Sequence, residues 1–310
     1  RILFNNETRF LRFVLDQGYY PEGIYTAPSD EYLKRDIEIA KAMGFDGARL
    51  HQKIFEPRFL YWADRLGYLA AGEFPDLGVD LSRSCAREAL LDEWIEVVRR
   101  DLNHPCIIMW TPFNERELGV GKPCTDFVRR GVHLTRLLDP TRPVIDSSGY
   151  THVETDIYDI HDYEQNVESF RVHYASFESL LERAGRQDVS IDLRFETPSH
   201  VLRNAPYEGQ PIIVSEYGGT WWRPEGTENG SWGYGGKPKS LEELISRYKA
   251  LTESLISNPY VSGFSYTQLY DIERETNGLH TYDRKPKVDP EVVGNINKQE
   301  AALEVRYRRN

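Results

Sequence analysis

Two glutamates that lie far apart in the chain each follow a short apolar run. Glu115 ends the segment WTPFNE at residues 110–115, and Glu216 follows the apolar segment PIIVS at residues 211–215. Carboxyl groups that face each other across a sugar-sized cleft are what glycoside hydrolysis requires. One of them must be protonated to release the leaving oxygen, and the other must be ionised to attack or to activate water. The pair therefore indicates acid–base chemistry, provided that the fold brings the two residues together.

Other polar residues share the position of these glutamates, because each lies at or just after the carboxyl end of a predicted strand. They are Asp16, Gln17, Arg49, His51, Gln52, Glu73, Asn114, Asp146, Ser147, His161, Asp162, Tyr163, Tyr217, Gln268 and Asp271. An acid after a strand is often only a helix cap. The number of such residues at one predicted rim instead favours a functional site there.

The elements that must position these residues alternate along the chain. Apolar runs predict eight strands, at residues 10–15, 45–50, 68–74, 106–110, 143–145, 157–160, 211–215 and 260–268. Amphipathic stretches with helix caps lie between them, and Ser240 with Glu243 forms a capping box. Alternating strands and helices pair in parallel, so we expect an α/β fold, a (β/α)8 TIM barrel, as a single domain over residues 1–310. The barrel proper would span about 8–290, with a C-terminal helix or tail over about 290–310. A doubly wound sheet is the alternative, but no GxGxxG or Walker motif appears.

Composition excludes several classes of protein. The 310 residues carry 38 Lys and Arg against 49 Asp and Glu, a net charge of −11, which argues against nucleic acid and anionic membranes as partners. The three cysteines form no disulfide framework, and no metal-ligand spacing appears, so we expect neither a metal nor a cofactor. No signal peptide and no 18-residue apolar run is present, which leaves the compartment open with the cytoplasm favoured. The first residue is not Met, as expected of a piece of a longer chain.

Seven segments give the chain a family resemblance. They are LDQGY at 15–19, ARLHQK at 48–53, NHP at 103–105, PFNE at 112–115, HDYE at 161–164, SEYGG at 215–219, and YTQ at 266–268 with NGL at 277–279. In this order they resemble the catalytic TIM barrel of glycoside hydrolase family 2, the family of β-galactosidases, β-glucuronidases and β-mannosidases. The resemblance implies a carbohydrate substrate, a retaining double displacement, and β-sandwich domains in a longer parent chain.

The resemblance also implies a role for each matched residue. Glu115 corresponds to the general acid/base and Glu216 to the nucleophile. Asn114 would contact the sugar hydroxyl beside the reacting carbon, Tyr163 would donate to the nucleophile, and Arg49 would lie beneath it. The remaining residues would line the sugar site or stack on it: His51, Glu73, His161, Gln268, Trp221 and Trp222. Because Arg49 and Tyr163 stabilise a negative charge, we expect a low pKa for Glu216.

Several points stay open at this level. The sugar is not determined, although the Asn-x-Lys pair that a glucuronidase would use is replaced here by Asn277-Gly278-Leu279. The alternative function is a catalytically weak carbohydrate-binding or repurposed barrel. Residues 226–236 are rich in glycine and predict a mobile loop or lid. Phe13 and Ala70-Ala71 depart from the usual family residues and predict compensating changes of volume inside the barrel.

Overall fold

The computed structural model describes residues 1–116, 122–150, 152–185, 205–223 and 230–308. Its strands are β1 (Leu3–Phe4), β2 (Glu7–Thr8), β3 (Leu11–Asp16), β4 (Gly47–Leu50), β5 (Leu69–Glu73), β6 (Ile107–Thr111), β7 (Tyr158–Asp162), β8 (Ile212–Gly218) and β9 (Val261–Thr267). Its helices are α1 (Asp30–Ala42), α2 (Pro57–Leu66), α3 (Ser84–Asp101), α4 (Lys122–Leu138), α5 (Val167–His173), α6 (Phe177–Gly185), α7 (Leu241–Ile256), α8 (Pro290–Asn297) and α9 (Ala302–Arg308).

One parallel sheet organises the molecule. Seven strands pair in the order β6-β5-β4-β3-β9-β8-β7, and a short antiparallel pair, β1 and β2, precedes them. Helices connect consecutive strands, as parallel pairing requires. The carboxyl ends of all seven strands therefore meet at one edge, and the residues that follow them are neighbours in space.

The fifth predicted strand is the exception. Residues 143–145 form only an isolated parallel bridge between Val144 and Trp110, and Ser148 forms another with Asn114. Ile145 N donates to Trp110 O at 2.9 Å, and on the other side Asp156 N donates to Val144 O at 2.9 Å. Pro143 has no N–H to donate, and the carboxylate of Asp146 accepts backbone N–H groups from Ser147, Val153 and Glu154. These bonds bend the segment into a loop soon after it has passed β6.

Two apolar layers lie on the two faces of the sheet. Alternate strand residues point to opposite faces, and the larger layer packs against the helices, as where Trp94 of α3 meets Trp110 at 5.6 Å between ring centroids. The smaller layer consists of Leu11, Phe13, Ala71, Met109, Ile145, Ile157 and Ile213. Phe13 and Ala71 thus share one cluster, a ring together with a methyl group. A Cβ at Gly47 would lie 2.7 Å from the Phe13 ring, so glycine leaves room for this ring.

Helix boundaries follow the predicted signals closely. Pro57 begins α2, and Gly67 ends it in the left-handed conformation. The Ser240 hydroxyl at the start of α7 accepts the N–H of Glu243. No helix in the described parts of the chain is long and apolar enough to cross a membrane.

Candidate functional site

An arginine at the end of β4 joins three strands at the centre of the site. The side chain of Arg49 is only 3% exposed, and its Nη1 donates to Glu216 near the end of β8. Its Nη2 lies 2.7 Å from Glu73 Oε2 and donates to Asn114 Oδ1 at 2.6 Å. Burial opposes its charge, but Glu73 and Glu216 outweigh that effect and raise the pKa of Arg49. The guanidinium is therefore permanently charged and fixes Asn114, Glu73 and Glu216 around it.

Glu216 is the buried carboxylate of the site. Its side chain is 5% exposed and accepts hydrogen bonds from Arg49 and from the Tyr163 hydroxyl. Burial alone would raise its pKa, but the positive charges of His161, Arg49 and His51 and the Tyr163 hydrogen bond lower it to about 2. Glu216 is thus ionised near neutral pH, as expected from the sequence.

Glu115 has a more open environment. Its side chain is 31% exposed, and Oε1 lies 2.7 Å from Nδ1 of His161. Its backbone has φ +48°, which is unfavourable for a residue with a side chain. The bond from Glu115 N to Ser148 O at 2.7 Å supports this conformation. One carboxylate oxygen of Glu115 lies within 4.8 Å of one of Glu216, with the His161 ring between.

A buried chain of hydrogen bonds supports His161 from behind. Its Nε2 lies 3.0 Å from Ser148 Oγ, and Ser148 Oγ donates to Asp159 Oδ2 at 2.5 Å. Because the serine hydrogen goes to Asp159, the serine oxygen is an acceptor, and His161 carries its hydrogen on Nε2. Protonation of His161 then adds its second hydrogen at Nδ1, which faces Glu115. Burial opposes protonation, but Glu216 and Glu115 outweigh it and raise the pKa of His161.

Glu73 and His51 form a second pair beside the buried carboxylate. Glu73 has no exposed side-chain surface, and its Oε1 lies 3.0 Å from His51 Nδ1. It also accepts the N–H of Gln52 at 3.0 Å. The same His51 atom lies 3.8 Å from Glu216 Oε1. Glu73 thus orients both Arg49 and His51 toward Glu216.

Gln268 belongs to a separate set of polar side chains after β9. Its Nε2 donates to Asn277 Oδ1 at 2.8 Å, and its Oε1 accepts from Gln17 at 2.9 Å. Glu275 completes this set, and the sequence analysis did not single it out. It follows no strand directly, and its position depends on a turn with Ile272 and a bridge to Trp232, which no local pattern indicates.

The tryptophans after β8 differ from the predicted stacking wall. Trp222 is only 9% exposed and belongs to the larger apolar layer, and Trp221 N donates to Tyr234 O. The ring stacked beside Glu216 is Tyr234, parallel to Tyr163 at 3.5 Å, with Trp232 against its edge. A sugar-stacking role for Trp221 and Trp222 stays a prediction. Of the predicted lid, residues 226–229 lie outside the described residues.

Two groups of side chains in the described residues have ligand atoms close enough for a metal ion. One is Glu115, His161 and Glu216; the other is Asp64, His104 and Cys106. The first is already joined by the hydrogen bond of His161 and by charge attraction. In the second, burial raises the pKa of the Cys106 thiol, and Asp64 raises it further. The protonated thiol lies 3.7 Å from Leu60 O, so this group is held by ordinary hydrogen bonds.

Comparison with known proteins places this site in a family. Residues 27–293 match the family described as glycosyl hydrolases family 2, TIM barrel domain. The chain is 32% identical to mouse β-glucuronidase over 115 residues, 36% of this chain and 18% of that protein. It is 25% identical to a Vibrio cholerae β-galactosidase over 225 residues, 69% of this chain and 19% of that protein.

Solved structures show the same fold. A β-galacturonidase from Eisenbergiella tayi superposes with a TM-score of 0.74 at 18% identity, covering 95% of this chain and 52% of that one. The chain thus spans about half the length of this protein, and its match covers less than a fifth of either curated relative. Because the family match extends over most of the chain, the chain belongs to glycosyl hydrolase family 2, and residues 27–293 are its TIM barrel domain.

Proposed function

We propose that this chain is the catalytic domain of a retaining β-glycosidase that releases terminal β-linked sugars. The carrying observation is the pair of carboxylates, one ionised and buried and the other half-exposed, with oxygens within 4.8 Å. Carboxyl groups about 5–5.5 Å apart are typical of retaining enzymes, and about 6.5–9.5 Å of inverting ones. The names of the similar proteins, β-glucuronidase and β-galactosidase, support the same class of reaction.

In the first step, the Glu216 carboxylate attacks the anomeric carbon while Glu115 gives its proton to the glycosidic oxygen. The carbon–oxygen bond breaks, the alcohol leaves, and a glycosyl ester on Glu216 remains. In the second step, Glu115 takes a proton from water, whose oxygen attacks the same carbon and releases Glu216. The sugar keeps its β-configuration, and both glutamates return to their starting protonation states.

The neighbouring residues have defined tasks in this scheme. Arg49 and Tyr163 keep Glu216 ionised and oriented for attack. Asn114, fixed by Arg49, would bind the hydroxyl beside the anomeric carbon. His161 Nδ1 shares a hydrogen bond of 2.7 Å with Glu115 Oε1, which positions the carboxyl group for proton transfer to the leaving oxygen.

The proposal extends to the barrel itself. We infer that residues 143–148 serve as the fifth strand of a closed (β/α)8 barrel. Ile145 packs in the smaller apolar layer, and backbone hydrogen bonds join this segment to β6 and to Asp156 just before β7. The parent chain would add β-sandwich domains, which the greater length of the similar proteins supports.

The test separates the two glutamates by the configuration of a product. Glu115→Ala and Glu216→Ala are supplied with an activated aryl β-glycoside and azide. In Glu115→Ala the covalent ester still forms, and azide should release it as the β-glycosyl azide. In Glu216→Ala azide takes the place of the nucleophile and should give the α-glycosyl azide. NMR of the products distinguishes the two anomers.

Glu96→Ala, an exposed glutamate on α3, is the control and should hydrolyse the substrate normally without forming azide. Opposite anomers in the two variants would reverse the roles of the glutamates. If the unsubstituted protein binds sugars but turns over no aryl glycoside, the alternative of a catalytically weak carbohydrate-binding barrel is favoured instead.

A further inference from the structure

Four polar side chains form a closed ring of hydrogen bonds where β3 and β9 end. Gln17 Nε2 donates to Gln268 Oε1 at 2.9 Å and makes a longer contact of 3.4 Å with Glu275 Oε2. Gln268 Nε2 donates to Asn277 Oδ1 at 2.8 Å, and Asn277 Nδ2 donates to Glu275 Oε1 at 3.2 Å. Glu275 thus accepts one hydrogen bond at each oxygen, from Gln17 and from Asn277, which fixes the carboxylate in one orientation.

This ring, which we call the amide–carboxylate ring, borders the catalytic glutamates. Ring contacts join the two: Tyr163, which donates to Glu216, stacks on Tyr234 at 3.5 Å, and Trp232, whose backbone forms a bridge with Glu275, packs against the edge of Tyr234. Burial and the charges of Glu216, Glu275 and Glu115 raise the pKa of the Tyr234 hydroxyl. On the other side, the charge of His51 acts on Glu275. Burial is the larger influence and raises the pKa of Glu275. The ring thus lies at the same rim as the reacting groups and is only partly exposed to solvent.

The charges around this space are unevenly distributed. Glu73, Glu115, Glu216 and Glu275 supply carboxylates, whereas Arg49 is already held by Glu73 and Glu216. Among the described residues that follow the site motifs in sequence, Arg116 is paired with Asp76 and Lys287 with Asp271. A negatively charged ligand group at the amide–carboxylate ring would therefore meet a carboxylate.

We propose that the amide–carboxylate ring binds the hydroxyl groups of an uncharged hexose, and that Glu275 excludes uronic acids from this site. The inference rests on the proposed glycosidase function and specifies its substrate class. This substrate class differs from the one named for the β-glucuronidase and the β-galacturonidase to which the chain is similar. Those names imply a sugar that carries a carboxylate.

The physical reason is the choice of hydrogen-bond partners. A carboxylate accepts hydrogen bonds only, and sugar hydroxyls donate them, so Glu275 pairs well with a neutral sugar. The carboxylate of a uronic acid has no hydrogen to donate near neutral pH, and its charge is repelled. The remaining amide groups of Gln17, Gln268 and Asn277 offer both donors and acceptors to neighbouring hydroxyls.

The experiment compares glycosides that share one leaving group. The 4-nitrophenyl β-galactoside and β-glucoside are assayed beside the matching β-galacturonide and β-glucuronide. We expect kcat/KM for the better neutral sugar to exceed that of its uronide by about 100-fold or more. In Glu275→Gln, this ratio should fall at least about tenfold, because the neutral sugar loses an acceptor and the uronide loses a repulsion. Glu273→Gln, an exposed neighbour in the same loop, should leave the ratio unchanged.

A preference of the unsubstituted protein for a uronide would overturn the inference. An equal loss of kcat/KM on all four substrates in Glu275→Gln would overturn it as well. If that variant does not fold, the ratio in the parent chain decides alone. The azide experiment keeps the two proposals apart. Azide rescue together with a uronide preference overturns only the substrate class. Absence of turnover on all four glycosides, with no rescue, overturns both.

Discussion

Glu216 and Glu115 face each other in one site, yet the chain surrounds them with opposite kinds of support. Glu216 is buried and accepts from Arg49 and Tyr163, which stabilise its negative charge. Glu115 is half-exposed on a left-handed backbone and is held by the chain His161, Ser148 and Asp159. The first environment fixes a charge, and the second fixes the position of a proton. Two identical side chains therefore acquire different tasks from their neighbours alone.

Removing the charge beneath Glu216 should have the largest effect on this contrast. Arg49→Gln leaves Glu73 and Glu216 buried without the guanidinium that both contact, and we expect the free energy of unfolding to fall by about 3–5 kcal/mol. Urea denaturation measures this change. Arg58→Gln breaks an exposed pair with Asp30 and should change stability little, because water screens an exposed pair. Equal losses in the two variants would mean that the buried position of Arg49 has no special weight.

Removing one hydrogen bond from Glu216 should have a smaller effect. In Tyr163→Phe the carboxylate loses a donor to its charged form, so its pKa should rise and kcat/KM should fall about 10–100-fold. The acidic limb of the pH–rate profile should move to higher pH. Tyr217→Phe, on the same strand as Glu216 but bonded to Thr252, should leave that limb in place. An unshifted limb in Tyr163→Phe would contradict the role of this hydroxyl.

The two environments should also respond to opposite extremes of pH. The pKa of Glu216, lowered to about 2, contributes stability that is present above about pH 4.5 and is lost as pH falls toward 2. Behind Ser148, burial opposes protonation of His152, but Asp146 and Asp159 raise its pKa to about 9. Its contribution is complete below about pH 6.5 and is lost as pH rises through 9, on the order of 3 kcal/mol.

Thermal unfolding between pH 2 and 10 would show both limbs. In His152→Gln the alkaline loss should disappear while the acid loss remains. If the loss of stability at alkaline pH persists in His152→Gln, a group other than His152 causes it.

Disturbing the hydrogen bonds that support Glu115 should have the smallest effect on kcat/KM, and this effect should depend on the leaving group. Ser148→Ala removes the acceptor of the His161 Nε2 hydrogen, so the ring no longer favours one tautomer. We expect kcat/KM to fall about tenfold, which is about 1.4 kcal/mol, for glycosides whose leaving group needs a proton. Activated phenol leaving groups should be little affected, and Ser148→Thr should restore activity. If kcat/KM fell equally for aryl glycosides whose phenols differ in acidity, the effect of Ser148 could not be assigned to proton donation by Glu115.

The sequence predicted this site wherever a residue lies at or shortly after the carboxyl end of a strand. Arg49, Asn114, Glu115, Tyr163 and Glu216 are such residues, and the predicted bond from Tyr163 to Glu216 and the low pKa of Glu216 are confirmed. Seven of the eight predicted strands are present in the described sheet. Strand periodicity and helix caps are local signals, which a single sequence contains.

Features that depend on distant contacts were not predicted. The segment at 143–148 matches a strand by composition, but Asp146 collects backbone N–H groups from residues 153 and 154. Ser148 and Asp159 act only because the sheet brings them to His161. Glu275 depends on a loop that is fixed by Ile272 and Trp232. In each case the contact depends on tertiary structure, which the periodicity of a short sequence segment does not indicate.

Arg12 on β3, at the centre of the sheet, is bound by the C-terminal end of the described chain. Its Nε donates to Asn297 O at 2.6 Å and its Nη2 to Gln299 O at 2.8 Å, while Glu304 accepts Phe10 N at 3.1 Å. A ribosome adds about 5–20 residues per second, so these partners emerge roughly 15–60 s after Arg12 does. During that interval the Arg12 guanidinium has the carbonyl of Phe10 but lacks those of Asn297 and Gln299, and for most of it β9 is absent from beside β3. We therefore expect the nascent chain to depend on chaperones until residues near 304 have left the ribosome, and to be most prone to aggregation just before then.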